Sequence, residues 1–173
     1  QSGNTGGLTW AAASGGGASD IGALDDVSMD ITNFVDSLLI QTDSDGSAPT
    51  TGTLDAASDD IGIGRNVFAA LTSGDKNIGF GPQALESLTS GSSNIAIGLE
   101  ALGDITTESN QIAIGHGAMR RHVSGAENVA IGYLAMGSVT SNAKRNIAIG
   151  ATSMYALTEG DENTAVGRYS LRE

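Results

Sequence analysis

The sequence predicts an all-β fold, a parallel β-solenoid whose coils repeat about every 17 residues. A motif of the type Asn-Ile-Ala-Ile-Gly recurs along the chain, with a small residue between two large ones and a glycine closing each copy. Residues two places apart share one face of a strand, so each copy predicts a short strand followed by a corner. The copies begin at Asp60, Asn77, Asn94, Gln111, Asn128, Asn146 and Asn163, which predicts about seven coils over residues 60–173.

Three columns of the repeat define this strand and its corner. The first position is polar and mostly an amide, as in Asn94, and the large positions are mostly β-branched, as in Ile95 and Ile97. Because the position between them is always Gly or Ala, we expect both faces of the strand to be covered. We expect oligomerisation to supply the surface that covers the small residues. The glycine that follows, such as Gly98, predicts a corner that needs a positive φ or no Cβ.

The second half of each copy carries a small and then a large residue, such as Ala84-Leu85, and a further apolar residue such as Leu88. This spacing also fits one helical turn. The segment is short for a helix and is bounded by Gly and Thr, so a second short strand and a turn are favoured.

The chain divides into three parts. Residues 1–26 are rich in Gly, Ser and Ala and predict a flexible or docking linker, an extended N-terminal arm. Trp10 within it is either a docking anchor for a neighbouring protein or a residue packed on its own oligomer. Residues 27–59 predict short strands leading into the repeats, although Ile31, Phe34 and Leu38 also fit a helical stripe. We expect the arm to cover the first coil at Asp60, because terminal coils of a solenoid need protection.

Composition excludes several classes of function. The 173 residues carry a net charge of −12 and no Cys, which excludes a disulfide framework and Cys-based zinc sites. Residues 1–60 hold ten Asp and no Lys or Arg, so binding to nucleic acid is not expected. No run of 18 apolar residues occurs, and no membrane insertion is expected. The first residue is Gln, so we expect the chain to be part of a longer or processed protein.

Motifs for catalysis or for cofactor binding are almost absent. Gly79-Phe-Gly81-Pro-Gln-Ala84 matches a dinucleotide fingerprint, but the repeat itself accounts for both glycines. No nucleophile elbow and no zinc-protease motif occurs. Asp43, Asp45 and Asp55, near Asp59 and Asp60, suggest calcium without the spacing of an EF-hand, so a solvated acidic loop is favoured. We therefore predict no enzyme activity, no catalytic residues, no cofactor and no metal.

Two features are candidates for recognition. Five basic side chains concentrate in two neighbouring coils: Arg120, Arg121, His122, Lys144 and Arg145. They predict either a receptor patch for acidic sugars or phosphate, or ion pairs with Glu127, Asp161 and Glu162, and ion pairing is favoured. His122 is either a tolerated polar replacement of an apolar residue or part of a metal column on an oligomer axis. The position after each corner glycine is the other candidate, because it varies from coil to coil through Arg65, Pro82, Leu99, His116, Tyr133, Ala151 and Arg168. Recognition and neutral drift explain that variation equally well.

The motif Asn-Ile-Ala-Ile-Gly-x-x-Ala-Leu resembles the head repeats of trimeric autotransporter adhesins of the YadA type. The 17-residue form, with Leu-Thr-Ser-Gly-Asp-Lys-Asn at 71–77, more closely resembles repeats of trimeric phage fibre and tail proteins. Ser-Leu-Leu-Ile-Gln at 37–41 and Thr-Gly-Thr-Leu-Asp-Ala-Ala at 51–57 resemble the leader found before such repeats. Two departures from the adhesins are the repeat length, which is usually 14 residues there, and the lack of a stalk or anchor here.

This resemblance implies a left-handed parallel β-roll assembled as a homotrimer. It further implies a structural fibre or appendage protein of a phage virion, involved in projection and host attachment. Implied partners are other virion proteins, through the N-terminal arm, and a host surface glycan or protein. The alternative is the head of a bacterial trimeric adhesin on the cell surface. A polysaccharide-degrading tailspike is disfavoured, because its coils would be longer and would carry paired carboxylates.

Overall fold

The computed structural model describes residues 27–28, 37–40, 57–121, 124–139, 142–156 and 160–172. These residues confirm the predicted parallel β-solenoid, with about six turns spaced by about 17 residues and no helix among them. One sheet contains the described strands in chain order: β1 (Val27–Ser28), β2 (Leu38–Ile40), β3 (Ile61–Ile63), β4 (Ile78–Phe80), β5 (Ile95–Ile97), β6 (Ile112–Ile114), β7 (Val129–Ile131), β8 (Ile147–Ile149) and β9 (Thr164–Val166).

The strands stack in register, so each column of the repeat becomes a straight line of like residues. From β3 to β9 every neighbouring pair is parallel, and Ala96 of β5 lies opposite Ala113 of β6. The additional residue of the fifth repeat lies between β7 and β8 and leaves this register intact. Sequence periodicity is thus converted directly into spatial columns.

The small-residue column lies inside the coil of its own chain. Ala96, Ala113 and Ala130 are fully buried, whereas Ile97 and Ile131 on the other face of the sheet are more than a third exposed. The prediction that oligomerisation covers the small residues is therefore wrong. The second half of the same coil covers them, and the large residues form the outer face.

The second half of each coil is a run of turns rather than the predicted second strand. The reason is visible at Ala84-Leu85, where both side chains are fully buried. In a strand, adjacent residues point to opposite faces, so only one of the two would reach the interior. Here Gln83 and Leu85 adopt φ values of 59° and 54°, and this left-handed backbone curls the chain inward. Coil-to-coil bonds continue through the turns, for example from Leu85 N to Ala101 O at 3.1 Å.

The corner glycines confirm the predicted backbone requirement. Their φ values lie between 123° and 137°. A Cβ on Gly98 would lie 2.6 Å from the carbonyl oxygen of Gly115 in the next coil. The corners from Gly64 to Gly150 therefore need glycine for two reasons, the positive φ and the contact with the backbone of the next coil, whereas Gly167 needs it for its φ alone.

The amide column forms a buried hydrogen-bonded ladder through the solenoid. Asn94 Oδ1 accepts the backbone N–H of Gln111 at 3.0 Å, and Asn94 Nδ2 donates to Asn77 Oδ1 at 3.1 Å. The same Nδ2 donates to the carbonyl of Glu108 at 2.9 Å. Because buried polar groups are costly unless paired, this column locks the register of successive coils.

In the first coils, a smaller residue in one column of the repeat is matched by a larger residue in the column that faces it. Gly62 and Gly79 stand where later coils have Ala, and Val67 and Phe68 stand where later coils have smaller residues. A Cβ on Gly79 would lie 2.4 Å from Val67 Cγ2, and one on Gly62 would lie 2.8 Å from Phe68 Cδ2. The larger side chains therefore occupy the space that the missing methyl groups leave.

The two ends of the solenoid differ. β2 pairs in parallel with β3 and places buried Leu39 opposite Gly62, while β1 runs antiparallel to β2. β2 therefore covers the first coil, whereas the arm over residues 1–26, which was predicted to do so, lies outside the described residues. At the other end Val166 is 67% exposed and Leu171 is 54% exposed, although their counterparts in earlier coils are more enclosed.

Candidate functional site

The outer face of the sheet is a regular apolar surface among the described residues. It carries two parallel columns of large side chains, one at each end of the short strands. Their more exposed members are Ile61, Ile78, Phe80, Ile97, Ile131, Ile147, Ile149 and Val166. Because monomeric proteins rarely expose large contiguous apolar surfaces, this outer face is a candidate interaction surface. Because it lies on stacked strands, its geometry is rigid.

The column after the corner glycines lies on the outside of the solenoid. Arg65, Pro82, Leu99, His116 and Tyr133 are all exposed there. The rings of His116 and Tyr133 meet edge to face with 5.4 Å between their centroids. The sequence-based choice between recognition and drift remains open for this column, but its side chains do stand on neighbouring coils of a rigid backbone.

Arg120 and Arg145 lie at different positions of the repeat. Arg120 lies in the turns after β6 and bonds Glu100 of the preceding coil, with 2.9 Å between Nη1 and Oε2. Arg145 immediately precedes the amide position of the next coil, and its Nη2 lies 2.9 Å from Glu162 Oε1 and 3.9 Å from Asp161 Oδ2.

The predicted ion pairing is therefore present for Arg145 with Asp161 and Glu162, and Arg120 pairs instead with Glu100. Within the described ranges Glu127 has no ion pair, and neither do Arg121 and Lys144. Exposed pairs of this kind contribute roughly 0.2–1 kcal/mol each. Among the four described residues of this basic set, Arg121 and Lys144 are therefore the two without an ion pair.

Several sequence-based candidates lie outside the described residues. These are Trp10, His122, the linker over 1–26, and the acidic residues Asp43, Asp45 and Asp55. The interpretations given to them stay predictions.

The dinucleotide-like motif has no phosphate-binding geometry. Gly79 faces Val67 and Phe68 in the interior, and Gly81 is a corner whose Cβ position is 2.7 Å from the Gly98 carbonyl oxygen. Both glycines serve coil packing, as the repeat predicted. Over the residues the structure describes, no group of three or more His, Cys, Asp or Glu could hold a metal, and no helix is long and apolar enough to cross a bilayer.

The sequence analysis named Asp60 as the start of the first coil and as a neighbour of an acidic loop, but it missed the consequence of placing an acid in the amide column. Asp60 is fully buried, and its Oδ1 accepts the backbone N–H of Asn77 at 2.7 Å. Burial raises the pKa of this carboxyl from 3.8 to about 7, with Asp75 and Asp59 adding repulsion. The signal that could have found it is the single acidic residue in an otherwise amide column.

No protein-family model matches the chain, and no curated protein and no solved structure matches it either. The functional conclusion below therefore depends on the coil geometry, the exposed surfaces and the sequence resemblance.

Proposed function

We propose that this chain is part of a homotrimeric fibre or appendage protein of a phage virion, with a role in projection and host attachment. The observation that carries the proposal is the outer face of the sheet, where columns of Ile such as Ile78, Ile97 and Ile131 remain more than a third exposed on a rigid solenoid. Three copies around a common axis would cover these columns along their whole length. The left-handed sense of the coil and the threefold symmetry are implied by the resemblance to phage fibre repeats.

A rod of this kind suits projection because its shape does not depend on a single core. Each coil contacts its neighbours through the amide ladder, the corner glycines and the stacked strands, so the number of coils sets the length. Residues on the outer turns are free to vary, and recognition of a host glycan or protein would use them. The N-terminal arm with Trp10 would dock on other virion proteins.

The alternative is the head domain of a bacterial trimeric surface adhesin, which shares the repeat motif and would use the same outer face for trimerisation. The segments that flank this chain in the full protein separate the two. A virion-docking segment or an autocleaving chaperone domain indicates a phage protein. A coiled-coil stalk followed by a membrane anchor indicates an adhesin.

Light scattering coupled to size exclusion tests the assembly. We expect a mass of three chains for the wild type and for the control Ser90→Glu, which adds a charge at an exposed turn position. Ile97→Glu places a charge on the outer face and should yield monomers with an unchanged circular dichroism spectrum. A monomeric wild type would overturn the trimer.

Attachment is tested with two double variants of equal charge. Arg121→Ser with Lys144→Ser removes basic groups without ion pairs, whereas Arg120→Ser with Arg145→Ser removes the paired ones. For a receptor patch, the first variant loses adsorption to host cells or host glycan while its melting temperature stays unchanged. The second variant should lower the melting temperature slightly. Adsorption retained in both variants would show that these basic residues are not part of the receptor site.

A further inference from the structure

Asp60 begins the amide ladder but lacks the side-chain amide with which the members from Asn77 to Asn146 bind a backbone carbonyl. In later coils the side-chain amide donates to a backbone carbonyl on the facing turn. Asn77 Nδ2 donates to Gly91 O at 3.1 Å, Gln111 Nε2 to Gly125 O at 2.8 Å, and Asn146 Nδ2 to Gly160 O at 3.0 Å. Each of these carbonyls lies 14 residues after its amide. The counterpart for Asp60 is the carbonyl of Gly74.

In later coils a side-chain amide donates to a backbone carbonyl at this place. In the first coil the two groups there, the Asp60 carboxylate and the Gly74 carbonyl, are both hydrogen-bond acceptors. Asp60 Oδ1 is used by the Asn77 N–H, but Asp60 Oδ2 is buried without a hydrogen-bond partner. Gly74 is also buried, and over the described residues its carbonyl receives no hydrogen bond. A carboxylate has no proton to donate, so an ionised Asp60 would leave its Oδ2 and the carbonyl oxygen of Gly74 unpaired.

We propose that Asp60 is a neutral carboxylic acid in the folded chain, with its Oδ2 hydroxyl donating to the Gly74 carbonyl. We further propose that release of this proton to solvent loosens the first coil and the strand β2 that covers it. In the neutral form Asp60 reproduces the hydrogen bonds of Asn, and the ladder is complete from its first member.

The surroundings of Asp60 oppose its ionisation. The charged groups acting on it are the carboxylates of Asp59, its neighbour in sequence, and Asp75 in the next coil. From the side of β2 it meets Ser37, whose uncharged Oγ accepts the Asp60 N–H at 2.7 Å. Lys76 is exposed, and over the described residues it forms no ion pair with Asp60. Burial, with no compensating cation among the described residues, raises the pKa of this carboxyl to about 7, although the backbone and side-chain hydrogen bonds from Asn77 act in the opposite direction.

The expected response of the fold to pH follows from this shift. Below the ordinary carboxyl pKa, both the folded and the unfolded chain hold the proton, and the contribution is complete. Between that pKa and about 7 only the folded chain keeps it, so stability falls as pH rises. Above about 7 the loss is complete.

Carbon-13 NMR of Asp-labelled full chain tests the proposal directly. We expect the Asp60 carboxyl to titrate near neutrality, while the exposed Asp carboxyls titrate in their ordinary range. Hydrogen exchange of the amides in β2 and β3, corrected for intrinsic rates, should accelerate about tenfold between pH 6 and pH 8 because opening is coupled to ionisation.

The variant Asp60→Asn should abolish this acceleration, because its amide donates to Gly74 at every pH. The matched control Asp59→Asn, at an exposed neighbour, should retain it. The titration is carried out with a chelator present, so that no bound metal ion favours the ionised carboxyl. An Asp60 carboxyl already ionised at pH 6 under these conditions would overturn the proposal. A pH-dependent exchange that persists in Asp60→Asn would overturn it as well. The titration of the wild-type chain decides the matter if a variant fails to fold.

Discussion

Replacing a corner glycine by alanine should destabilise the solenoid strongly in the middle and only moderately at its end. Gly98 has a φ of 133°, and its added Cβ would lie 2.6 Å from the Gly115 carbonyl oxygen. Gly167 has a φ of 123°, but no atom lies within 4 Å of the Cβ it would gain. The two substitutions therefore share the backbone strain and differ in the contact between coils.

The magnitudes follow from these two contributions. A non-glycine residue in this region of φ costs about 1–3 kcal/mol, which is the whole expected loss for Gly167→Ala. Gly98→Ala must in addition separate two coils that touch at their backbones. The nearest hydrogen bond, from Gly115 N to Ile97 O at 2.7 Å, would stretch, and contacts around it would loosen. One weakened bond and the lost packing add about 2 kcal/mol, for a total of about 3–5 kcal/mol.

Denaturant unfolding followed by circular dichroism measures both losses, at one fixed protein concentration because assembly contributes to stability. We expect the midpoint to fall for both variants, and to fall further for Gly98→Ala. Equal losses for the two variants would refute the reasoning, since the close approach between coils would then carry no cost. An unchanged midpoint for Gly167→Ala would refute the assigned backbone strain.

Three further outcomes are expected. Gly79→Ala and Val67→Ala should each lower the melting temperature. In the double variant the new methyl group occupies the space that Val67 leaves, so the loss of unfolding free energy should be at least about 1 kcal/mol smaller than the sum of the two single losses. Strictly additive losses would contradict the volume exchange. Asn94→Leu should cost about 2–4 kcal/mol in denaturant unfolding, because it removes hydrogen bonds to Asn77, Glu108 and Gln111. The control is Ser73→Leu at an exposed turn position, and an equal loss in both variants would contradict a structural role for the amide ladder. Raising the pH from 5 to 8 should lower the free energy of unfolding by about 3 kcal/mol, because burial raises the pKa of Asp60 to about 7 and only the folded chain holds the proton up to that pH. A flat pH profile would argue against the buried acid.

The repeat alone determined the architecture of this chain. Stacking in register is the arrangement that gives every copy of a 17-residue motif the same environment, so the columns read from the sequence are the columns of the solenoid. The glycine corners followed for the same reason, because a residue needed at Gly64 is needed again at Gly81 and Gly98. The amide ladder was also visible as a polar column between apolar ones.

Only the tertiary structure decided which face of the sheet is inside. Alternation separates Ile95 and Ile97 from Ala96 but does not say which side the rest of the coil will cover. That choice depends on the left-handed residues such as Leu85, which fold the second half of the coil over the small side chains. Propensity assigns a leucine to a strand or a helix, and the complete burial of Leu85 in the core overrides it.

The properties of Asp60 were likewise decided in three dimensions. In sequence it differs from Asn by one group, and nothing local indicates a shifted pKa. Asp60 is buried between Ser37 and Asn77, where the column requires a hydrogen-bond donor. Its Oδ2, which stands where Asn carries Nδ2, is therefore left without a hydrogen-bond partner. The periodic part of this protein was therefore predictable from its sequence, and the departures from the period acquire their meaning only from the neighbours that the fold brings to them.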